Sequence, residues 1–247
     1  MKILATYNIK GGVGKTAAAV NLSHLAASAG SRVLLWDLDP QAAASYLLRI
    51  RPRVKGGGGA LIKGSRELDA AIKGTDFTGL DLLPADFTFR NLDLMLDATK
   101  KPTRRLARLL RPLSSDYDLV FLDCPPGISL LSESVLYAAD TVLVPLIPTT
   151  LSVRTLDQLT EFIAGIDGHR PGVLAFCSMI DRRKRLHLQI AADLPAERKD
   201  MAETAIPALA LIEQMAVRRA PVTAFAPRSA AARSYARLWD EVRARAL

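Results

Sequence analysis

The stretch Lys10-Gly11-Gly12-Val13-Gly14-Lys15-Thr16 decides the fold of this chain. It follows a short apolar run at residues 3–6 and opens a helical pattern. Glycines have no Cβ, so they let the backbone take positive φ values and turn its N–H groups inward. Successive inward N–H groups, together with the N-terminal end of a helix, form a binding site for anions. The stretch therefore predicts a phosphate-binding loop between the first strand and the first helix.

Three side chains of this loop have predicted roles of their own. Lys15 is placed to reach the β- and γ-phosphates of a nucleotide, and the Thr16 hydroxyl is placed to bind Mg²⁺. The general phosphate-loop pattern has a glycine where this chain has Ile9, and here the loop carries a second lysine, Lys10, at its front. A positive charge at the mouth of the loop would lie where charge develops on the γ-phosphate, as an arginine finger does.

Carboxylates follow two further apolar runs that are typical of buried strands. Residues 33–36 are followed by Asp37-Leu38-Asp39-Pro40, and residues 119–122 are followed by Asp123. Ligands bind at the carboxyl ends of the strands in parallel sheets, so we expect these carboxylates near the loop. An aspartate at the end of such a strand supports Mg²⁺, directly or through a bound water.

Short apolar strands alternate with helical patterns along the 247 residues. This alternation predicts an α/β fold with a doubly wound, mostly parallel sheet and helices on both faces. No linker or internal repeat divides the chain, so a single domain over residues 1–247 is expected. Further expectations are a mobile basic loop at 49–64, a basic amphipathic helix at 101–113, an edge strand from Ala208 to Ile212 and a closing helix from Arg228 to Arg245.

The composition limits the classes of function. The net charge is +8 and the excess lies towards the C-terminal third, which favours nucleic acid or an anionic membrane as partner. Cys124 and Cys177 form no C-x-x-C pair, so a zinc or iron–sulfur site is not expected. The N-terminus has no signal-peptide pattern, and no run approaches the ~20 apolar residues of a membrane span. We therefore expect a cytoplasmic protein.

Taken together, the motifs resemble the deviant Walker A ATPases of the ParA/MinD family, and the ParA-like members most closely. The resemblance spans nearly the whole chain, with blocks in family order at residues 10–16, 37–41, 123–127 and 179–183. A later stretch at residues 218–222 resembles the family's segment near the adenine. The resemblance implies a P-loop ATPase that needs ATP and Mg²⁺, with two nucleotides held between the subunits of a homodimer and slow hydrolysis until stimulated.

The family's functional residues can be placed on matching positions here. The resemblance implies that Lys10 reaches the partner's phosphates and that Lys10, Lys15 and Asp39 are catalytic. It implies metal binding by Thr16, Asp39 and Asp123. The implied nucleotide contacts are Lys10, Gly11, Gly12, Val13, Gly14, Lys15, Thr16, Ala17, Met179 and Pro221. Ala17 replaces a threonine common in the family, which removes one hydroxyl near the α-phosphate and leaves the metal ligand intact.

ParA-like members also imply partners outside the nucleotide site. These are non-specific DNA in the ATP-bound dimer and a ParB-like or cargo-adaptor protein that stimulates hydrolysis, in a protein that positions DNA or protein cargo on the nucleoid. The residues expected to contact the DNA backbone are Arg182, Arg183, Lys184, Arg185, Arg218, Arg219, Arg233 and Arg237. Such contacts depend strongly on salt and carry little base specificity. No helix-turn-helix segment precedes the loop, so operator binding is not expected.

Two alternatives remain open from the sequence. A MinD-like member would bind a membrane through an amphipathic closing helix, although Asp240 and Glu241 would oppose anionic lipid and no membrane contact is expected. A nucleotide-binding adaptor with negligible turnover is the second alternative. A tyrosine autokinase and a nitrogenase-reductase-like carrier are disfavoured, because the five tyrosines are scattered and both cysteines lie in strand-like runs.

Overall fold

A mostly parallel β-sheet organises the molecule. The computed structural model describes residues 1–64, 68–166 and 168–247. Its strands are β1 (Lys2–Thr6), β2 (Val33–Asp37), β3 (Lys73–Gly74), β4 (Leu80–Leu83), β5 (Leu119–Asp123), β6 (Thr141–Leu146) and β7 (Gly172–Cys177). Within the described ranges these seven strands form one sheet in the order β3-β4-β2-β5-β1-β6-β7, and every neighbouring pair is parallel except β3 and β4. The predicted α/β class is confirmed.

Helices cover both faces of this sheet. They are α1 (Lys15–Ser28), α2 (Ala43–Leu47), α3 (Gly57–Lys63), α4 (Leu92–Asp97), α5 (Arg105–Leu110), α6 (Leu130–Ala138), α7 (Thr150–Ala164), α8 (Arg185–Glu197), α9 (Ala210–Arg218), α10 (Val222–Phe225) and α11 (Ala230–Ala246). Short 3₁₀ turns lie at Asp69–Ala71, Phe87–Asn91, Pro102–Arg104 and Arg111–Ser115. The closing helix is confirmed as α11, which begins where the Ser229 side chain accepts a hydrogen bond from the backbone N–H of Ala232.

The sheet separates two hydrophobic cores because successive side chains of a strand point to opposite faces. Ile3 and Ala5 of β1 pack into a core shared with α4 to α8. Leu4 packs into the other core, which α1 and α9 to α11 cover. The glycine-rich loop joins β1 to α1, so both cores hold the two elements that flank it in place.

The prediction of a mobile basic loop at residues 49–64 is wrong for its second half. Residues 57–63 form α3, and Leu61 and Ile62 are buried in the core. Gly58 permits this packing, because a Cβ there would lie 2.9 Å from Cδ1 of Phe89. The contact is made 31 positions along the chain, so the local glycine run gives no indication of it.

The amphipathic helix expected at residues 101–113 is interrupted. Lys101 has a positive φ of 59°, a 3₁₀ turn follows, and regular α-helix covers only Arg105–Leu110. Pro112 has no backbone N–H to donate to the preceding turn, which accounts for the change back to a 3₁₀ turn at Arg111.

The prediction of an edge strand from Ala208 to Ile212 is also wrong. The chain accompanies β7 through the isolated bridges Ala175–Met201 and Ile180–Pro207 and then enters α9 at Ala210. The run Ala-Leu-Ala-Leu-Ile is apolar without a decisive period, and alanine and leucine are strong helix formers. Pro207 has no backbone N–H to donate to a neighbouring strand, which favours the chain leaving the sheet at that point.

Candidate functional site

The glycine-rich loop has the backbone geometry that its sequence predicts. Gly12 and Gly14 have φ values of 70° and 97°, in the region that favours glycine. Gly14 is the N-cap of α1, and no side chain caps the N–H groups of the first turn. A Cβ at Gly14 would lie 2.9 Å from Oγ of Ser178, so this position has no room for a side chain. The open N–H groups of α1 therefore face the loop and are available to an anion.

Asn8 fixes the loop to the strands on either side, and sequence reasoning missed it. The buried Asn8 amide donates to the carbonyl oxygen of Pro145 in β6 at 2.8 Å and accepts the backbone N–H of Lys10 at 2.9 Å. On the other side, the N–H of Gly127 donates to the carbonyl oxygen of Ile9 at 3.0 Å. The loop is thus held in shape by protein contacts, without a ligand.

Lys15 lies under the loop and is only 7% exposed. Its Nζ donates to the carbonyl oxygens of Lys10 at 3.0 Å and of Asn8 at 3.5 Å. Burial lowers the pKa of Lys15, and the nearby Asp123 carboxyl is the main group that opposes this shift. The ammonium is thus satisfied by two neutral carbonyl groups, which a phosphate can replace with a stronger, charge-assisted contact.

Three polar side chains form a row at the carboxyl ends of neighbouring strands. Thr6 of β1 and Asp37 of β2 both pair in register with Asp123 of β5. Asp123 is fully buried; its Oδ1 accepts the Thr6 hydroxyl at 3.4 Å, whereas Oδ2 has no partner among the described residues. Burial raises the pKa of Asp123 well above its ordinary value, the Asp37 carboxyl adds to this, and the Thr16 side chain opposes it. An orphaned buried carboxylate oxygen beside a threonine hydroxyl fits the oxygen ligands that Mg²⁺ prefers.

The two aspartates after β2 have different surroundings. Oδ2 of the buried Asp37 accepts the backbone N–H and the hydroxyl of Ser45, at 2.8 and 2.7 Å. Its Oδ1 accepts the N–H of Asp39 at 3.3 Å. Asp39 is half-buried, and its Oδ1 accepts the N–H of Gln41 at 2.9 Å. Asp37 therefore anchors the segment internally, and Asp39 is the carboxylate that reaches the cavity.

A cavity of about 620 Å³ opens beside the loop. At the loop end its lining includes Gly11, Gly12, Gly14, Lys15, Thr16, Ala17 and Asp39. At the other end it is lined by Ser178, Met179, Ile206, Pro207, Ala208, Leu209, Ile212, Glu213 and Tyr235. One end is thus rich in N–H groups and charge and the other is mostly apolar, as a nucleotide requires.

Four residues predicted for this site lie outside the cavity lining. Lys10 is half-buried at the front of the loop, and Val13 and Asp123 are buried beneath it. Pro221 is buried at the start of α10 and is not part of the lining either, so its nucleotide contact stays a prediction. The apolar wall of the cavity is formed by residues 206–209 and by α9, whose first residues were predicted as part of an edge strand.

A second groove, of about 780 Å³, lies next to this cavity. Four of the arginines predicted to contact DNA line it: Arg182, Arg183, Arg233 and Arg237. Asp181 and Asp240 line it too, and Asp181 forms an ion pair with Arg183 at 3.0 Å. Pro207, Ala208 and Leu209 line both the cavity and the groove, so one short segment separates them.

The other predicted arginine cluster lies elsewhere. Arg49 Nη2 donates to the carbonyl oxygen of Arg218 at 3.1 Å, and the Arg219 Nε donates to that of Tyr46 at 3.0 Å. The Arg219 guanidinium also stacks 4.7 Å from the centre of the Tyr46 ring. Arg219 thus holds α9 against α2. Lys184 and Arg185 are exposed at the start of α8, outside the groove lining.

A glycine-rich loop after the first strand, a buried lysine under it and carboxylates at the ends of neighbouring strands define a P-loop nucleotide-binding fold. The model of an AAA domain matches residues 1–172. The sporulation initiation inhibitor protein Soj of Bacillus subtilis is 32% identical over 98% of each chain. The chromosome partitioning protein ParA of Caulobacter vibrioides is 33% identical over 98% of this chain and 94% of its own.

A solved structure extends these similarities to three dimensions. Cobyrinic acid a,c-diamide synthase of Mycobacterium smegmatis, solved with an ATP analogue and magnesium, superposes with a TM-score of 0.83 at 28% identity, covering 97% of this chain and 93% of that one. The chain belongs to the ParA/MinD family of P-loop ATPases.

Proposed function

We propose that this chain is a ParA-like ATPase: with Mg·ATP bound it dimerises and holds DNA without sequence preference, and hydrolysis releases the DNA. In this way it positions or segregates DNA or a protein cargo. The observation that carries the proposal is the buried Lys15 under the glycine-rich loop, opposite the unpartnered carboxylate oxygen of Asp123. The Caulobacter relative is a chromosome partitioning protein, which supports DNA as the cargo.

Each residue at the loop end has a definable task. The N–H groups of the loop and of α1 bind the phosphates, and Lys15 exchanges its two carbonyl partners for phosphate oxygens. The Thr16 hydroxyl and Asp123 would hold Mg²⁺, which neutralises phosphate charge when bound. Asp39, the carboxylate that lines the cavity, orients the attacking water. Asp37 holds Asp39 through its backbone N–H and is not itself exposed to the nucleotide.

The edge of the sheet around the loop has the features of a dimer interface. Lys10 lies at the front of the loop and outside the lining of its own cavity, so its ammonium is free to serve a facing subunit. Ile128, Leu151 and Met179 follow β5, β6 and β7 at the same edge and are 56%, 67% and 41% exposed. Covering such side chains favours association, and their position would bring two loops face to face.

The arginine groove supports DNA as the partner. Arg182 and Arg183 follow β7, and Arg233 and Arg237 lie one turn apart on α11, so the two walls of the groove are both basic. Guanidinium groups bind phosphate oxygens without reading bases. The groove is separated from the cavity only by residues 207–209, so a change in the nucleotide can reach it through one segment.

The closing helix argues against the membrane alternative. In the part of the chain that the structure describes, no helix is both long enough and apolar enough to cross a bilayer. The apolar side of α11 is committed to the core, where Tyr235, Leu238, Trp239 and Val242 are at most 5% exposed. The Glu241 carboxylate also accepts the N–H groups of Glu203 and Thr204, which ties the helix down further. A helix packed in this way has no apolar face left for lipid.

A matched pair of lysine variants tests the proposal. Lys15→Ala should weaken ATP binding by about 100-fold or more, because hydrogen bonds to charged groups contribute ~1.5–3 kcal/mol each and Lys15 can make two. Lys10→Ala should bind ATP as the wild type does but stay monomeric with a non-hydrolysable ATP analogue. Calorimetry gives the affinities, and light scattering after size-exclusion chromatography gives the mass.

The wild type should be a dimer with the analogue and a monomer without nucleotide. A wild type that stays monomeric when saturated would contradict the switch, and Lys10→Ala forming a normal dimer would contradict the role of that lysine. A dimer without measurable turnover, even with DNA and a stimulating partner, would favour the nucleotide-binding adaptor.

A further inference from the structure

The cavity described above has a chemically distinct far end. Met179, Ile206, Leu209 and Ile212 make it mostly apolar, in contrast to the loop end with its N–H groups and charges. A nucleotide whose phosphates occupy the loop end must place its sugar and base here. Such an apolar end fixes the orientation of a ligand through a small number of well-placed polar groups.

Tyr235 is one of the few polar side chains at this end. It lies on α11, is 2% exposed and lines the cavity. Among the described residues, no group forms a hydrogen bond with its hydroxyl, and burial alone raises the pKa of Tyr235. Buried tyrosine hydroxyls normally have a partner.

Two other buried tyrosines follow that norm. The Tyr7 hydroxyl donates to the carbonyl oxygen of Gly127 at 2.7 Å, and the Tyr117 hydroxyl donates to Oδ2 of Asp81 at 2.8 Å. Tyr235 differs from both because it lines the cavity, where a ligand can supply the acceptor that the protein lacks. A ligand that accepts this hydrogen bond would therefore be held more tightly than one that does not.

The other two hydroxyls that line the cavity lie beside the loop. Thr16 belongs to the loop itself and lines the phosphate end of the cavity. Oγ of Ser178 lies against Gly14, 2.9 Å from where a Cβ would stand. Ala17, on the first turn of α1, brings no hydroxyl at all. Tyr235 is therefore the hydroxyl best placed for the part of the ligand beyond the phosphates.

We infer that the Tyr235 hydroxyl donates a hydrogen bond to the nucleoside part of the bound nucleotide and is a specificity-determining residue of the site. This inference rests on the proposed function, since it requires that a nucleotide occupies the cavity. The contact also joins the nucleotide to α11, the helix that carries Arg233 and Arg237 of the neighbouring groove.

Tyr235→Phe removes the hydroxyl and keeps the ring in the core. Its affinity for Mg·ATP should fall by about 2- to 12-fold, the range of one neutral hydrogen bond. Its affinity for Mg·tripolyphosphate, which has no nucleoside, should equal that of the wild type. The thermal midpoint of the nucleotide-free variant should stay close to that of the wild type, because the substitution removes no hydrogen bond between described residues.

Tyr117→Phe is the matched control. Its hydroxyl is bonded to Asp81 and lies outside the cavity lining, so this variant should lose stability and keep its affinity for Mg·ATP. Equal Mg·ATP affinities for wild type and Tyr235→Phe would overturn the inference while leaving the proposed function standing. An equal loss for tripolyphosphate would place the hydroxyl at the phosphates and also overturn it. A wild type that binds no ATP would overturn both proposals.

Discussion

At the scale of single residues, the buried Asp37 is expected to make the stability of the protein depend on pH. Burial raises the pKa of Asp37 from 3.8 to about 6, against the lowering effect of its hydrogen bonds from Ser45. The folded protein therefore keeps this proton to a higher pH than the unfolded chain does. Its contribution to the free energy of unfolding is fully present below about pH 4 and is lost as the pH rises through about 6. Two pKa units correspond to about 3 kcal/mol.

Asp37→Asn removes this titration and provides the measurement. Urea unfolding of the nucleotide-free protein between pH 4 and 7.5 should show the wild type losing up to about 3 kcal/mol relative to the variant as the pH rises. Asp123 and Asp39 face the same site and remain in the variant, so the difference between the two curves reports the titration of Asp37 together with its effect on Asp123. A difference that does not change with pH would contradict this account.

The sequence identified the residues of the loop end because their pattern is local. Strand, glycines, lysine and threonine occupy consecutive positions, and the aspartates stand at strand ends. Asn8 and Tyr235 were missed because their roles depend on elements far along the chain, such as Pro145, 137 positions after Asn8. Ser45 was missed because no local pattern pairs it with Asp37, eight positions before it.

At the scale of elements, the packing of α3 requires a glycine at position 58 but not at position 59. Gly58→Ala should destabilise the protein by about 1–2 kcal/mol, since its Cβ would lie 2.9 Å from Phe89 and 3.1 Å from Leu92 and overpack the core. Gly59→Ala meets only Met95, at 3.8 Å, and should be neutral or stabilising by up to about 1 kcal/mol because alanine favours a helix. Thermal unfolding compares the two, and equal midpoints would argue against the packing of α3.

The elements that the sequence predicted share a property that the missed ones lack. The strands β1, β2 and β5 and the helix α1 are continuous apolar or periodic runs, bounded by glycine, proline or aspartate. Residues 57–63 and 208–212 carry no such period, so their form is decided by what they pack against. For α3 this is Phe89 and Leu92, and for α9 it is the second core, in which its own residue Met215 is buried.

At the scale of the whole molecule, the excess of positive charge is not spread evenly. Arg182, Arg183, Arg233 and Arg237 share one groove beside the cavity. Arg218 and Arg219 lie instead beside Arg49, which forms an ion pair with Asp76 at 3.4 Å and donates to the carbonyl oxygens of both. The groove combines exposed guanidinium groups with a wall of three residues that it shares with the nucleotide cavity, so we expect it to hold the DNA.

The salt dependence of DNA binding distinguishes the groove from the cluster of Arg218 and Arg219. In the presence of ATP, Arg182→Ala/Arg237→Ala should bind DNA about 10-fold or more weakly, and the slope of log affinity against log salt should fall by about 2 per subunit, since each phosphate contact contributes about 0.9. Arg218→Ala removes the same kind of charge outside the groove and should leave both quantities unchanged. Fluorescence anisotropy with duplexes of two unrelated sequences measures both, and the two duplexes should give equal affinities. An equal loss in Arg218→Ala, or wild-type binding that is as tight without nucleotide, would contradict a DNA groove controlled from the cavity.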